Sequence, residues 1–347
     1  MIARALCALV FVMLIAACSG GAKSSPTSTP GGASPGATAT AFFDTDAANA
    51  VDASPAPTQP AVSTTAAGSP CASAKPHAPG DSNETMQSGG IARMYILHVP
   101  PTYDGTRNVP LVLNLHGFGS NARQQAFYSG FPAKGDREGF IVVTPDGSGT
   151  PQHWNYPGLG GADDIAFTGE LLDRVEADLC IDTKRVFVSG ISNGAAMSSF
   201  IACAMPDRIT AIAPVAASVF PRTCGSARAV PVISFRGTAD PCVPFEGGTS
   251  QCGQKLPVAP AQTAMKDWAS HDGCNAIPAL QQFAASVRTV AYSECADDTA
   301  VVLFIVDGGG HTWPGSIDVP RLGVTSHEVN ATDQMWEFFV AQGNLRR

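Results

Sequence analysis

The fold is decided by one stretch, Val186-Phe187-Val188-Ser189-Gly190-Ile191-Ser192-Asn193-Gly194-Ala195-Ala196-Met197. A β-rich run leads into the pattern Gly-x-Ser-x-Gly, and helix-forming residues follow. A serine at the tip of a tight strand-to-helix turn needs neighbours without side chains two residues before and after it, and Gly190 and Gly194 meet that need. The stretch therefore predicts a nucleophile elbow, in which Ser192 is lifted clear of a sheet.

Apolar runs of strand length alternate with longer helical patterns on both sides of this stretch, which is typical of βαβ units around a parallel sheet. The predicted strands are 93–99, 110–115, 140–144, 185–189, 209–215, 230–235 and 301–306. The predicted helices are 163–179, 193–205 and 332–340. The sequence thus predicts an α/β fold with a doubly wound, mainly parallel sheet.

A serine nucleophile requires a histidine base and an acid, which follow the serine in the order acid, then histidine, in this kind of fold. Asp240 comes after the strand 230–235, and His311 comes after the strand 301–306 and three glycines. Each residue also has a plain interpretation, an Asx-turn before Pro241 for Asp240 and a surface loop for His311. Their order along the chain favours a Ser192, Asp240, His311 triad.

Acyl transfer also requires backbone N–H donors for the oxyanion, from the residue after the nucleophile and from a loop after an early strand. We predict that the N–H groups of Phe118 and Asn193 are these donors, because Phe118 lies in the loop Leu115-His116-Gly117-Phe118-Gly119. His116 precedes Ser192 in the chain, and we therefore expect it to brace this loop rather than to act as the base.

Three aromatic residues follow or flank these loops, namely Trp154, Phe245 and Trp313. They form a predicted aromatic wall of the substrate cleft, and ordinary core or rim packing is an equally good interpretation. Asp163 and Asp164 open a predicted helix, so N-capping is the expected role for them.

The overall composition excludes some classes of partner. The chain has 347 residues with 14% charged residues and a net charge of −8, so it has no basic surface to neutralise phosphates. Nucleic-acid binding is not expected.

The amino terminus predicts export. Arg4 precedes an apolar run, 5–17, that is too short to cross a bilayer, and Cys18 follows. Residues 1–18 therefore predict a lipoprotein-type signal peptide with lipidation at Cys18, and an ordinary secretory signal cleaved near Ala17 is the alternative. Residues 19–70, rich in Ser, Thr, Pro, Gly and Ala, predict a disordered tether, and residues 71–347 predict one catalytic domain.

Eight cysteines fall in the domain, which is an even number in an oxidising compartment and predicts a disulfide framework. The preferred pairs are Cys242–Cys252, Cys274–Cys295 and Cys180–Cys203, which leaves Cys71–Cys224. No Cys-x-x-Cys pair or His-rich cluster indicates a metal site, and none is expected.

As a set, several motifs resemble one family of extracellular enzymes. They are Leu115-His116-Gly117, Thr144-Pro145-Asp146-Gly147, Trp154-Asn155, Gly161-Ala162-Asp163-Asp164, the Gly190 to Gly194 motif, Gly237-Thr238-Ala239-Asp240 and Gly308-Gly309-Gly310-His311-Thr312-Trp313-Pro314-Gly315. From about Cys71 onward the chain resembles the α/β-hydrolase esterases that include polyhydroxybutyrate depolymerases, feruloyl esterases and acetylxylan esterases. The resemblance implies the α/β-hydrolase fold, the Ser192, Asp240 and His311 triad, the Phe118 and Asn193 donors, and neither cofactor nor metal.

The resulting expectation is a serine esterase, secreted or lipid-anchored at the cell envelope, that acts through an acyl-enzyme. Its substrate would be a polyester or an ester of plant cell-wall polysaccharide. We expect a monomer that contacts a membrane only through Cys18. The alternatives are a serine peptidase of the same fold and a non-catalytic binding lipoprotein of the cell surface.

Overall fold

A ten-stranded mixed sheet forms the centre of the part of the chain that the computed structural model describes, residues 68–225 and 228–345. The predicted signal peptide, with Cys18, and nearly all of the predicted tether lie outside the described residues. The described residues belong to one compact unit, 62–347. Within them, no helix combines the length and the apolar character needed to cross a membrane.

The strands are β1 Gly80–Ser88, β2 Ile91–Val99, β3 Val109–Leu115, β4 Ile141–Pro145, β5 Ile181–Ile191, β6 Ala211–Val215, β7 Val232–Gly237, β8 Gly248–Thr249, β9 Pro257–Val258, β10 Ala279–Ala284, β11 Val287–Tyr292 and β12 Val301–Val306. The large sheet has the order β1-β2-β4-β3-β5-β6-β7-β12-β11-β10, and β8 pairs with β9 separately. The six strands from β4 to β12 in that order run parallel, and antiparallel hairpins extend the sheet at both edges.

The helices are α1 Ala122–Ser129, α2 Phe131–Glu138, α3 Asp164–Asp178, α4 Asn193–Ala204, α5 Ala261–His271 and α6 Ala331–Leu345, with short 3₁₀ turns at Ala296–Asp298 and Pro320–Leu322. Helices α3, α4 and α5 bury residues such as Leu171, Met197 and Trp268 against one face of the sheet. Helices α2 and α6 bury Phe131 and Phe339 against the other. The prediction of a doubly wound α/β fold is confirmed.

Burial of both faces explains why the central strands read as continuous apolar runs. Every residue of β4 and β6 is buried, as are the last seven of β5. All seven strands predicted from the sequence are present, with ends displaced by four residues or fewer. The strands β1, β10 and β11, helices α1, α2 and α5, and the short strands β8 and β9 were not predicted.

Four disulfides join the eight cysteines, and two of the predicted pairs are correct, Cys242–Cys252 and Cys274–Cys295. The other two predicted pairs, Cys180–Cys203 and Cys71–Cys224, are wrong, because the structure pairs Cys71 with Cys180 and Cys203 with Cys224. The reason is geometric. The 11 residues of β5 advance about 3.3 Å each, whereas the 12 residues of α4 return only about 1.5 Å each. Cys203 therefore does not reach the level of Cys180.

Candidate active site

Ser192 occupies a tight turn between β5 and α4, with φ 58° and ψ −115°. A Cβ atom on Gly190 would lie 2.6 Å from the backbone of Gly194, and one on Gly194 would lie 2.5 Å from the carbonyl oxygens of Leu115 and His116. Real Cβ atoms do not approach so closely, so only glycine fits either position. The elbow geometry predicted for Ser192 is present.

His116 braces the loop after β3, as expected. The buried ring accepts a hydrogen bond from Gly147 N–H at Nε2, at 2.8 Å, and donates from Nδ1 to the Gly117 carbonyl, at 2.8 Å. Burial lowers the pKa of His116, which favours the neutral ring that this arrangement needs. With both ring nitrogens occupied, His116 is not available as a base for Ser192.

Asp240 and His311 form a buried pair. Nδ1 of His311 lies 2.8 Å and 3.1 Å from the two carboxylate oxygens of Asp240, and because a carboxylate only accepts, Nδ1 carries the proton. The Asp240 Oδ1 atom also accepts the N–H groups of Cys242 and Val243, at 2.7 Å and 2.8 Å. The Asx-turn and the histidine partner are therefore both present, and Nε2 of His311 is left as the nitrogen that can take a proton.

Glycines bring the acid loop and the histidine loop together. A Cβ atom on Gly237 would lie 2.2 Å from the carbonyl oxygen of Gly309, and one on Gly310 would lie 2.3 Å from the carbonyl oxygen of Leu322. The His311 N–H donates to that same Leu322 carbonyl, at 2.7 Å. The three glycines before His311 therefore allow a fold-back that larger residues would block.

A small apolar cluster joins this pair to the serine turn. Ala195, one turn into the helix after Ser192, packs in one cluster with Cys242 and Val243 from the acid loop, and Leu322 packs against that cluster. The loop after β7, which carries Asp240, and the loop after β12, which carries His311, thus both pack near the first turn of α4. The fold brings the loops of all three predicted triad residues to one edge of the sheet.

Arg236 lies beneath the acid loop with no exposed surface. Its Nη2 donates to the carbonyl oxygens of Val243 and Pro244, at 2.8 Å and 3.4 Å, while Nε and Nη1 have no partner among the described residues. Burial lowers the pKa of Arg236 to about 10, and the negative charge of Asp240 acts to raise it. Arg236 was not among the residues predicted for the site, because an arginine inside a strand carries no local signal of a role.

The predicted oxyanion donors lie on either side of Ser192. Asn193 is the first residue of α4, and its N–H is one of the donors that a helix leaves unpaired. The loop carrying Phe118 passes close by, since a Cβ atom on Gly117 would lie 3.5 Å from the Ser192 Cβ. Within residues 68–225 and 228–345, no hydrogen bond takes either the Phe118 or the Asn193 N–H.

A cavity of about 660 Å³ opens at Ser192, with a mainly apolar lining. Its walls include Phe118, Tyr156, Leu159, Asn193, Ala196, Phe200, Ala217, Val219, Phe220, Arg222, Val243, Cys252, Leu256 and Val258. Tyr156 and Phe200 stack with ring centroids 4.5 Å apart, and both also line a neighbouring cavity. The space at Ser192 suits the uncharged, apolar part of a ligand.

The three aromatic residues predicted for the cleft wall are instead packed in the interior. Trp154, Phe245 and Trp313 are 0%, 5% and 1% exposed, and none of them lines the cavity at Ser192. Trp154 Nε1 donates to the His116 carbonyl at 2.8 Å, and Trp313 Nε1 donates to Thr332 Oγ1 at 2.9 Å. The aromatic wall is corrected to Phe118, Tyr156, Phe200 and Phe220.

Donor atoms of Asp240, Cys242 and His311 lie within 4.8 Å of one another. The Cys242 sulfur forms a disulfide with Cys252, so it is not a thiolate ligand. The Nδ1 atom of His311 is hydrogen-bonded to Asp240. This set does not fit a metal centre.

The two acids at the start of α3 have structural roles. Asp163 is the N-cap and accepts the Ala166 N–H at 2.9 Å, as predicted. Asp164 is buried and forms an ion pair with Arg93 at 2.7 Å, and it also accepts the Asn155 N–H at 2.7 Å. N-capping is thus confirmed for Asp163 and wrong for Asp164, which instead holds the chain segment that follows Trp154.

A second buried histidine–aspartate pair lies at the end of α5. Nδ1 of His271 is 2.7 Å from Asp272 Oδ1, and the ring lies 5.5 Å from that of Phe220. Burial raises the pKa of Asp272 to about 6, against the lowering effect of its bond with His271. These residues are adjacent in the chain and do not line the cavity at Ser192.

Comparison with known proteins confirms the resemblance drawn from the sequence motifs. Residues 93–261 match the family model described as Esterase PHB depolymerase. Feruloyl esterase B of Piromyces equi is 32% identical over 229 residues, which are 63% of this chain and 42% of that protein. Feruloyl esterase C of Emericella nidulans is 27% identical over 278 residues, which are 76% of this chain and 92% of that protein. The chain therefore spans less than half of the first relative and most of the second.

Among solved structures, an acetyl xylan esterase from Aspergillus awamori is similar, with a TM-score of 0.52 and 16% sequence identity. The match covers 74% of this chain and 98% of that one. At this identity the likeness establishes the fold, which is that of the α/β-hydrolases.

Proposed function

We propose that this chain is a serine esterase acting through an acyl-enzyme, of the α/β-hydrolase group that includes polyhydroxybutyrate depolymerases, feruloyl esterases and acetylxylan esterases. The relatives named as esterases support a carboxylic ester hydrolase. The observation that carries the proposal is the buried Asp240–His311 pair, whose loop packs on the first turn of the helix after Ser192.

In the proposed reaction, Ser192 Oγ attacks the ester carbonyl and gives its proton to His311 Nε2. The oxyanion receives the N–H groups of Phe118 and Asn193. His311 then protonates the departing alcohol, and water repeats the cycle to release the acid and restore Ser192. The Asp240 carboxylate lies 2.8 Å from His311 Nδ1. In that position it holds the neutral ring in the Nδ1–H tautomer and stabilises the imidazolium that forms during the reaction.

The proposed substrates are esters of a polyester or of plant cell-wall polysaccharide. The mainly apolar cavity at Ser192 supports an uncharged acyl group, and the net charge of −8 is consistent with neutral rather than anionic polymers. We propose further that the enzyme is exported, with four disulfides in support, and that it is a monomer anchored through Cys18 or released.

The test is to assay the full chain on p-nitrophenyl acetate and on a peptide anilide, with fluorophosphonate labelling of Ser192. We expect ester turnover, no comparable anilide turnover, and a label that Ser192→Ala abolishes. His271→Ala is the matched control, because it removes the other buried histidine that is paired with an aspartate, and it should keep activity near wild type. Faster anilide turnover would favour the peptidase alternative, and absence of labelling on folded protein would favour the non-catalytic binding lipoprotein. Methyl ferulate, acetylated xylan and a polyhydroxybutyrate film then separate the substrate classes.

A further inference from the structure

The Cys242–Cys252 disulfide begins two residues after the acid of the proposed triad. The N–H groups of Cys242 and Val243 both donate to Asp240 Oδ1, at 2.7 Å and 2.8 Å. The Cys242 carbonyl accepts the Gln251 N–H at 2.7 Å, so the two ends of the loop are held by a hydrogen bond as well as by the sulfurs. One end of this disulfide loop therefore carries two of the donors that hold the carboxylate.

The other end of the disulfide loop forms part of the substrate cavity. Cys252 lines the cavity at Ser192, and a Cβ atom on the next residue, Gly253, would lie 2.8 Å from the Phe118 ring. Ser250 holds this end in place, because its Oγ donates to the Gln254 carbonyl at 2.6 Å and accepts the Leu256 N–H at 2.9 Å. The disulfide thus joins the acid loop to the wall next to the predicted oxyanion donor.

The sulfur itself lies inside the site. Cys242 Sγ is within 4.8 Å of a carboxylate oxygen of Asp240 and of a ring nitrogen of His311. Cys242 is 2% exposed and packs with Ala195 and Val243, whereas Cys252 is exposed. If Cys252 no longer held the side chain at position 242, movement of that side chain would displace the neighbouring Asp240 carboxylate.

We propose that the Cys242–Cys252 disulfide is a positioning element of the catalytic acid, which fixes Asp240 through two backbone N–H groups and ties it to the wall of the substrate cavity. The inference rests on the proposed function in that Asp240 is taken as the acid of the triad. Its physical basis is that the residues between the two cysteines regain backbone freedom once the bond is removed, so the two N–H groups no longer hold one carboxylate rotamer. His311 then loses the fixed orientation that proton transfer requires.

The Cys274–Cys295 disulfide provides a matched control. It also joins a buried cysteine, Cys295, to a less buried one, Cys274, and its sequence separation is 21 residues, from just after α5 to just after β11. Neither cysteine lines the cavity at Ser192 or belongs to the cluster that joins the acid loop to α4. Its removal tests the loss of a covalent link without a change at Asp240.

The experiment compares the full chain with the double variants Cys242→Ser/Cys252→Ser and Cys274→Ser/Cys295→Ser. We expect the first variant to lose at least tenfold in kcat on p-nitrophenyl acetate with KM changed by less than threefold, because the acid is misplaced while most of the cavity remains. The control should keep kcat within twofold.

A second readout does not depend on turnover. The His311 Nδ1 proton bonded to Asp240 should give a downfield proton resonance, assigned by its loss in Asp240→Asn. The resonance should persist in wild type and in the control and should broaden or vanish in Cys242→Ser/Cys252→Ser. If wild type hydrolyses no ester, the proposed function fails, and this resonance alone decides the positioning role.

If the double variant does not fold, wild type is treated with a mild thiol, and the cysteines that react with iodoacetamide are mapped by mass spectrometry. Cys252 is the exposed partner, so this bond should be reduced first. Loss of activity in step with alkylation of Cys242 and Cys252 supports the proposal. Full activity after both are alkylated, or equal loss of kcat in the two double variants, would overturn it.

Discussion

Removing one disulfide at a time should destabilise the protein, and the loss should be larger when the disulfide closes a longer stretch of chain. The structure gives sequence separations of 109 for Cys71–Cys180, 21 for both Cys203–Cys224 and Cys274–Cys295, and 10 for Cys242–Cys252. The loop-closure relation assigns these links about 4.8, about 3.3 and about 2.7 kcal/mol respectively, as an upper range for the loss of unfolded-state entropy. The variants that test this order are four double Cys→Ser variants, each lacking one disulfide.

Cys71→Ser/Cys180→Ser should therefore cost about 2 kcal/mol more than Cys242→Ser/Cys252→Ser. Burial does not change this order, since Cys180 and Cys242 are 1% and 2% exposed and each variant puts one serine hydroxyl in the place of a buried sulfur. A loss near 5 kcal/mol is a large share of the about 5–15 kcal/mol that stabilises a typical domain, so expression at low temperature is needed.

The assay is equilibrium unfolding in urea, with the free energy of unfolding taken from both the midpoint and the slope. The slope must be included, because an uncrosslinked unfolded chain exposes more surface and raises the m-value. The reasoning would be refuted if Cys242→Ser/Cys252→Ser proved as destabilising as Cys71→Ser/Cys180→Ser. That result would mean that native-state strain or packing, rather than chain entropy, sets the order.

Three further outcomes are expected. Ser192→Gly should be about 1 kcal/mol more stable than Ser192→Ala, because φ is 58° at this position, and equal urea midpoints would contradict a strained turn. Trp313→Phe should cost about 1 kcal/mol, because the Thr332 hydroxyl loses the Trp313 Nε1 donor and keeps only its bond to the Ser129 carbonyl, and it should leave KM unchanged; a raised KM would show that Trp313 does line the cleft. Burial raises the pKa of Asp272 from 3.8 to about 6, so its contribution to stability is complete below 3.8 and is lost as pH rises through 6. Relative to Asp272→Asn, wild type should lose about 3 kcal/mol between about pH 4 and pH 7, and parallel stability curves would contradict this.

Strands in the middle of the sheet could be predicted because burial on both faces leaves a continuous apolar run. The edge strand β1 could not, since its residues Gly80–Ser88 are mostly polar and exposed. The turn that joins it to β2 did carry a signal, because Gly89 and Gly90 both have positive φ, as a two-residue hairpin turn requires. The edge strand β10 is similarly exposed, so its apolar pattern is weak.

The catalytic roles of Ser192, Asp240 and His311 stay a prediction, but the chain order on which it rests does bring Asp240 and His311 into contact, whereas the cleft wall predicted from sequence proximity was wrong. Asp240 and His311 follow neighbouring parallel strands, β7 and β12, so their loops must meet at one edge. Trp313 is only two residues beyond His311, but its side chain points into the core beside Phe131. Nearness along the chain does not specify which way a side chain faces, and the predicted cleft wall was wrong for that reason.

The Cys71–Cys180 disulfide fixes the first part of the described chain next to the residue that precedes β5, whereas Ser192 follows the last residue of the same strand. Eleven residues at about 3.3 Å each place roughly 35 Å between the two ends. An attachment through residues before Cys71, by a lipid or by a resin, therefore meets the molecule at the opposite end of β5 from the cavity at Ser192. The attachment point itself does not cover that cavity.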